Sequence, residues 1–176
     1  LVRANFSVDS MHGDMASFEL MTASIFDHEG REGLGYTYTL GAGARAIHSV
    51  MECDMAPFLM GRDQTRIEEI WHGLWWKLHY AGRGGLVIHA LSAIDIALWD
   101  LLGKSVGLPL WRLLGGANPK VKAYAGGIDL MFSLDDLLAQ TEQNLSKGFR
   151  AIKMKVGRDN LNEDVERIKT MRSYLG

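Results

Sequence analysis

After Pro119 the chain falls into a strand, helix, strand, helix rhythm, and this alternation constrains the fold more than any other feature of the sequence. Residues 121–125 ("VKAYA") read as a short strand. Ser133 with Asp136 resembles a capping box that opens a helix running to Lys147, where Gly148 closes it. Residues 149–156 read as a second strand, with Ile152, Met154 and Val156 on one buried face. Asn162 is the expected cap of a last helix, with Glu163 and Asp164 in its first turn and Lys169 and Arg172 near its end, as the helix dipole prefers. A βαβα run predicts parallel strands covered by helices. Two such units leave an open sheet edge, so the region reads as the unfinished start of a larger domain and the chain as part of a longer protein.

The part before Pro119 is organised differently. Residues 2–8, 18–26 and 33–40 read as three strands, the last rich in Tyr and Thr, and "DHEG" at 27–30 is a turn signal. Short connections between them predict an antiparallel meander. Helices follow at 44–59, 65–80 and 87–103. The third, "VIHALSAIDIALWDLL", is apolar nearly all round, with His89, Ser92 and Asp95 forming a polar stripe, and reads as a helix surrounded by protein. A short amphipathic piece ("GLPLWRLLGG") and the breaker "GGANP" at 115–119 end this region. The expected division is an α+β domain over 1–118, a three-stranded meander plus helices, and two βα units over 119–176.

Composition excludes several functions. With 19 Lys+Arg against 21 Asp+Glu the formal net charge is -2, and no block of like charge occurs, so neither nucleic acid nor a membrane is an expected partner. The single Cys53 rules out an internal disulfide framework and fits a reducing compartment. No apolar run reads as long enough to span a bilayer, and the expected location is the cytoplasm.

The second strand carries the chemistry. Lys153 and Lys155 alternate with its apolar residues and so share the other face, with nothing acidic adjacent in sequence. Paired ammonium groups on such a strand are ordinarily snorkelling side chains or members of structural ion pairs. Their place at the strand's carboxyl end favours another role, because in βα barrels that end gathers the active-site loops. Crowding by a like charge disfavours a protonated amine and suits a lysine for removing a proton beside a carboxylate.

Three stretches carry a resemblance: "GREGLGYTYT" at 30–39, "HALSAIDIALWDLLGKSVGLPLWRLLGG" at 89–116 and "GFRAIKMKVG" at 148–157. Taken together, the chain resembles the enolase superfamily in its mandelate racemase and muconate lactonizing enzyme branch, over almost its whole length. The resemblance implies an α+β capping domain followed by the start of a modified TIM barrel, incomplete in this chain. It implies Lys155 as the base that handles the α-proton. Lys153 would lie beside it, tuning it and approaching the substrate carboxylate. It implies Mg²⁺ stabilising an enediolate, with ligands falling after Gly176, so that no metal ligand is named in this chain and residues 1–176 alone are expected to be inactive. Asp159, Asp164 and Glu166 are not read as ligands. Capping-domain loops at 9–17 and 39–43 would close over the substrate, with Met11 and His12 as candidate contacts; each reads equally well as part of an ordinary turn. The implied substrate is a small carboxylate, an acid sugar, and the implied reaction a dehydration, with racemisation, epimerisation and cycloisomerisation as alternatives. The implied assembly is a homo-oligomer. A catalytically silent homologue acting as an interaction module is the contrasting reading.

Other signals carry less. "GAGARA" at 41–46 fits G-x-G-x-x-A, but a further helix follows where a dinucleotide fold needs a parallel strand. Glu69 and His72 form one E-x-x-H with no second copy for a di-iron bundle. Asp95 reads as a hydrogen-bonded structural carboxylate, Trp71, Trp75 and Trp76 as packing residues, and Cys53 as inert.

Overall fold

A computed structural model describes residues 2–7 and 14–176. Residues 18–119 form one compact unit and residues 120–176 another, with which the described residues 3–7 and 14–17 group. Strands β1 (Val2–Ser7), β2 (Asp14–Phe26) and β3 (Glu32–Thr39) form a sheet of order β1-β2-β3. β2 and β3 pair antiparallel, from Glu19 opposite Thr39 to Phe26 opposite Glu32. Asp27 builds the turn between them. Its carboxylate accepts the backbone N–H groups of Glu29 and Arg31, each at 2.9 Å, and Gly30 supplies the positive φ of 79° that the turn needs.

The helices of this unit follow in the expected order, with local differences. The expected helix over 44–59 is α1 (Ala44–Ser49), a π-helical turn over Val50–Met55 and α2 (Ala56–Leu59), with Met51 and Met55 buried. α3 (Ile67–Lys77) buries Ile67, Ile70 and Leu74 at helical spacing. α4 (Leu86–Ser105) is the central helix, and α5 (Leu110–Leu113) the short amphipathic piece. Met21 and Ala23 of β2 join the core that α1, α3 and α4 build.

The approach of α4 to β3 is set by residue size. Along β3 the buried positions are Gly33, Gly35 and Thr37, alternating with exposed Leu34, Tyr36 and Tyr38. A Cβ on Gly35 would stand 1.9 Å from the Ala93 carbonyl oxygen, and one on Gly33 2.1 Å from that of Ala97. Helix backbone therefore lies directly on strand backbone. Polar contacts fasten the two along their length: Thr37 Oγ1 with His89 Nδ1 at 3.0 Å, Leu34 N–H donating to Asp100 Oδ2 at 2.8 Å, and Lys104 Nζ donating to the Glu32 carbonyl at 2.8 Å.

Asp100 is also paired with Lys104 at 2.7 Å. The hydrogen bond from Lys104, then that from Leu34 N–H, hold the Asp100 carboxyl below its ordinary value against the opposing effect of partial burial. A depressed folded pKa means its contribution is present above the unfolded carboxyl value of about 4 and is lost as pH falls through the lower folded value. Asp100→Asn should therefore lower stability at neutral pH, and its melting curve should converge on the wild-type curve as pH drops below about 4. A constant gap across thermal melts at pH 7, 4 and 3 would show that the carboxylate's charge is not what holds β3.

Two expectations about α4 need correction. Among the described residues it is not covered all round, because His89, Ser92 and Ile96 form an exposed stripe. Nor is the sequence without a run long and apolar enough to cross a membrane, since Leu86–Ser105 meets that test by length and composition. Half of that window is buried inside the structure, including Ala90, Ala93, Ala97 and Leu101, as in the core helix of a globular unit.

In the second unit, β4 (Ala125–Gly126) and β5 (Ile152–Lys153) pair in parallel, with Ala125 opposite Ile152 and Gly126 opposite Lys153. α6 (Leu134–Ser146) connects them and α7 (Leu161–Leu175) follows. Ser133 caps α6, its Oγ accepting from Asp136 N–H at 3.1 Å and donating to the Asp136 carboxylate at 2.6 Å. The cap of α7 is Asn160, whose side chain accepts from Asn162 N–H at 3.1 Å, two residues before the expected cap. Both strands are far shorter than the expected 121–125 and 149–156. Val121 is exposed, and beyond Lys153 the backbone leaves the ladder to bind side chains instead.

Candidate active site

The ladder of the second unit ends at Lys153, so its carboxyl end is where Lys155, Gly157 and Arg158 emerge. Lys153 is exposed and Lys155 half-buried. Neither ammonium has an ion-pair partner among the described residues. Acidic side chains nevertheless bind the backbone here, which the local sequence does not reveal. The carboxylate of Asp129, wholly buried, accepts Lys155 N–H through Oδ1 at 2.7 Å. Asp164, also buried, accepts Gly157 N–H at 2.7 Å and Arg158 N–H at 3.0 Å through Oδ2.

Two arginines complete this layer. Arg158 donates to the carbonyls of Leu130 and Phe132 at 2.9 and 2.8 Å and pairs with Glu163 at 3.0 Å. Arg167, on α7, donates to the Asp129 carbonyl at 2.9 Å and to the Phe132 carbonyl at 2.6 Å. Burial, and then the charge of Arg158, lower the Arg167 pKa from its ordinary value, while Asp129 and Asp164 oppose the shift. Two guanidinium groups thus hold the loop that follows β4, and two carboxylates hold the backbone that follows β5.

Of the expected site residues, the structure describes Lys153 and Lys155; Met11 and His12 lie outside the described residues. The 39–43 segment is described as a bend in which Gly41 and Gly43 take positive φ, and Thr39 Oγ1 donates to Glu19 at 3.0 Å. Among the described residues no group of three or more His, Cys, Asp or Glu side chains could hold a metal ion. Asp129 and Asp164 are engaged by backbone N–H groups and flanked by arginines, so this carboxylate pair does not fit a divalent cation.

Some of the weaker candidates make structural contacts. Glu69 pairs with Arg62 and Arg66. Trp71 stacks on Trp75 at 5.4 Å between ring centroids. Asp95 departs from the expectation of a hydrogen-bonded carboxylate: it makes no hydrogen bond among the described residues and lines a cleft with Glu68, Trp71, His72 and Trp99. Burial, and secondarily the charge of Glu68, raise its pKa.

Fold and site together define an α+β domain followed by βα units, with a lysine pair at the carboxyl end of a parallel strand. Residues 6–115 match the family model described as "Mandelate racemase / muconate lactonizing enzyme, N-terminal domain". The chain belongs to this family, a branch of the enolase superfamily. It is 52% identical over 168 residues to the 3,6-anhydro-alpha-L-galactonate cycloisomerase of Streptomyces coelicolor, covering 96% of this chain and 46% of that protein. A racemase from Streptomyces coelicolor, solved with bound magnesium, superposes with a TM-score of 0.92 at 52% identity, covering 96% of this chain and 47% of that one. The L-talarate/galactarate dehydratase of Salmonella typhimurium, liganded with Mg and L-lyxarohydroxamate, superposes with a TM-score of 0.91 at 32% identity, covering 98% and 45%. The chain thus spans about half the length of the relatives it matches.

Proposed function

We infer that the whole protein abstracts the proton α to the carboxylate of an acid sugar, with Lys155 as the base and Lys153 approaching the carboxylate. The observation that carries this reading is the place of Lys155, two residues beyond the last paired residue of a parallel strand and half-buried, in a chain of this family. Strand ends of that kind are where α/β enzymes present reactive groups. The α-hydrogen leaves as a proton to the Lys155 amine, and its electron pair passes to the carboxylate to give an enediolate. Magnesium, held by both structural neighbours, belongs to the whole protein in this reading, with ligands outside the described residues, and would supply positive charge to stabilise the developing enediolate. Met11 and His12 remain candidate substrate contacts.

For the fate of the enediolate, dehydration is the reading of the sequence. The 52% identity to a cycloisomerase, against 37% to the dehydratase, favours cyclic rearrangement as the second reading. The test incubates the full-length protein with Mg²⁺ in D₂O and, separately, 3,6-anhydro-L-galactonate and galactarate, following the C2 proton by NMR. Loss of that signal, with or without product, is the expected result. A folded protein that leaves both acids fully protonated at C2 would support the silent homologue instead.

A further inference from the structure

We propose that Asp129 is a positioning residue for the base: its buried carboxylate, by holding Lys155 N–H, fixes the direction in which the Lys155 side chain leaves the backbone. The inference rests on the reading of Lys155 as the base. Among the described residues β4 and β5 pair over only two residues each, and no ladder bond is made past Lys153. Lys155 therefore gets no support from that pairing. Instead its N–H donates to Asp129 at 2.7 Å, a short bond to a charged acceptor, from a residue 26 positions earlier. The N–H groups of Gly157 and Arg158 are held in the same way by Asp164, so both sides of Val156 are fastened.

Asp129 is itself immobilised. Its side chain is wholly buried, its own carbonyl accepts from Arg167 at 2.9 Å, and the carbonyls of Leu130 and Phe132 accept from Arg158. Gly127 leaves room beside it, where a Cβ would come within 3.1 Å of Asp129 Oδ2. Burying a carboxylate is costly, and only one of its oxygens finds a hydrogen bond among the described residues. An apolar side chain would serve the core of the unit at less cost. The backbone N–H that Asp129 binds belongs to the residue whose orientation the chemistry depends on, and a misplacement of about 1 Å at a reacting group costs roughly 100-fold in rate.

The test uses the full-length protein and two variants. Asp129→Leu removes the acceptor, whereas Asp129→Asn keeps an oxygen in its place. Amide hydrogen exchange at Lys155 needs no substrate. In the wild type this amide should be protected, in Asp129→Asn it should stay within about threefold of wild type, and in Asp129→Leu it should exchange about tenfold faster or more. With 3,6-anhydro-L-galactonate or galactarate, whichever is turned over, Asp129→Leu should lower kcat by about 100-fold with KM little changed, and Asp129→Asn should recover most of it. An unprotected Lys155 amide in the wild type, or an Asp129→Asn as impaired as Asp129→Leu, overturns the proposal. So does unchanged kcat in an Asp129→Leu protein whose Lys155 amide has lost protection. Lys155→Ala run in parallel separates the two ideas: undiminished turnover there removes the base assignment, whatever Asp129 does. The wild-type amide measurement decides the backbone contact even if Asp129→Leu does not fold.

Discussion

Lys155→Ala in the full-length protein should lose solvent exchange of the substrate α-proton by about 100- to 10,000-fold, the range by which a positioned general base accelerates proton transfer. The fold should survive. Lys155 is half-buried, its ammonium has no ion-pair partner among the described residues, and its structural contact is the backbone N–H, which alanine retains. Circular dichroism and thermal melts should therefore match the wild type while exchange collapses. Lys153→Ala should behave differently. Lys153 is exposed, and in the proposed reaction it meets the carboxylate, so a raised KM is expected in addition to a lower kcat. Exchange at an undiminished rate in Lys155→Ala would remove the central assignment. Loss of folding in both lysine variants would instead mark the pair as structural.

The second large effect lies far from the chemistry. Gly35→Ala should destabilise the first unit by about 3 kcal/mol or more, because the new methyl group would stand 1.9 Å from the Ala93 carbonyl oxygen and 2.6 Å from the Ala97 nitrogen. Both obstacles are helix backbone, which no rotamer change relieves. Relaxation would have to lift α4 from β3, loosening Thr37 from His89 and Leu34 from Asp100. Tyr36→Ala, one residue away on the exposed face, is the control and should cost less than about 1 kcal/mol. Urea unfolding of the three proteins checks the contrast. A Gly35→Ala midpoint no lower than that of Tyr36→Ala would mean that the helix and strand are not in backbone contact.

Much of the fold is legible in the residues because its signals are local. The period of α3, the Ser133–Asp136 cap and the "DHEG" turn each lie within a few residues of sequence, and each forms as read. Errors arise where local signals are degenerate or silent. Asn160 and Asn162 are both good caps, and the helix takes the earlier one. Strand length depends on the partner: Val121 and Val156 look like strand residues, yet the ladder runs only from Ala125 to Gly126 and from Ile152 to Lys153. The lysine pair announces itself because two like charges alternate with apolar residues. Asp129 does not, since the residue it serves lies 26 positions away and nothing in "GGIDL" separates a buried acceptor from a loop carboxylate.

The contact between Asp129 and Lys155 also bears on folding order. It closes a loop of 26 residues, with α6 inside it, so it cannot form until the crossover has delivered the second strand to the first. Capped as it is, α6 can form early, whereas the geometry around Lys155 arrives only with a non-local closure. A newly made chain would therefore form α6 before the backbone around Lys155 takes its final geometry.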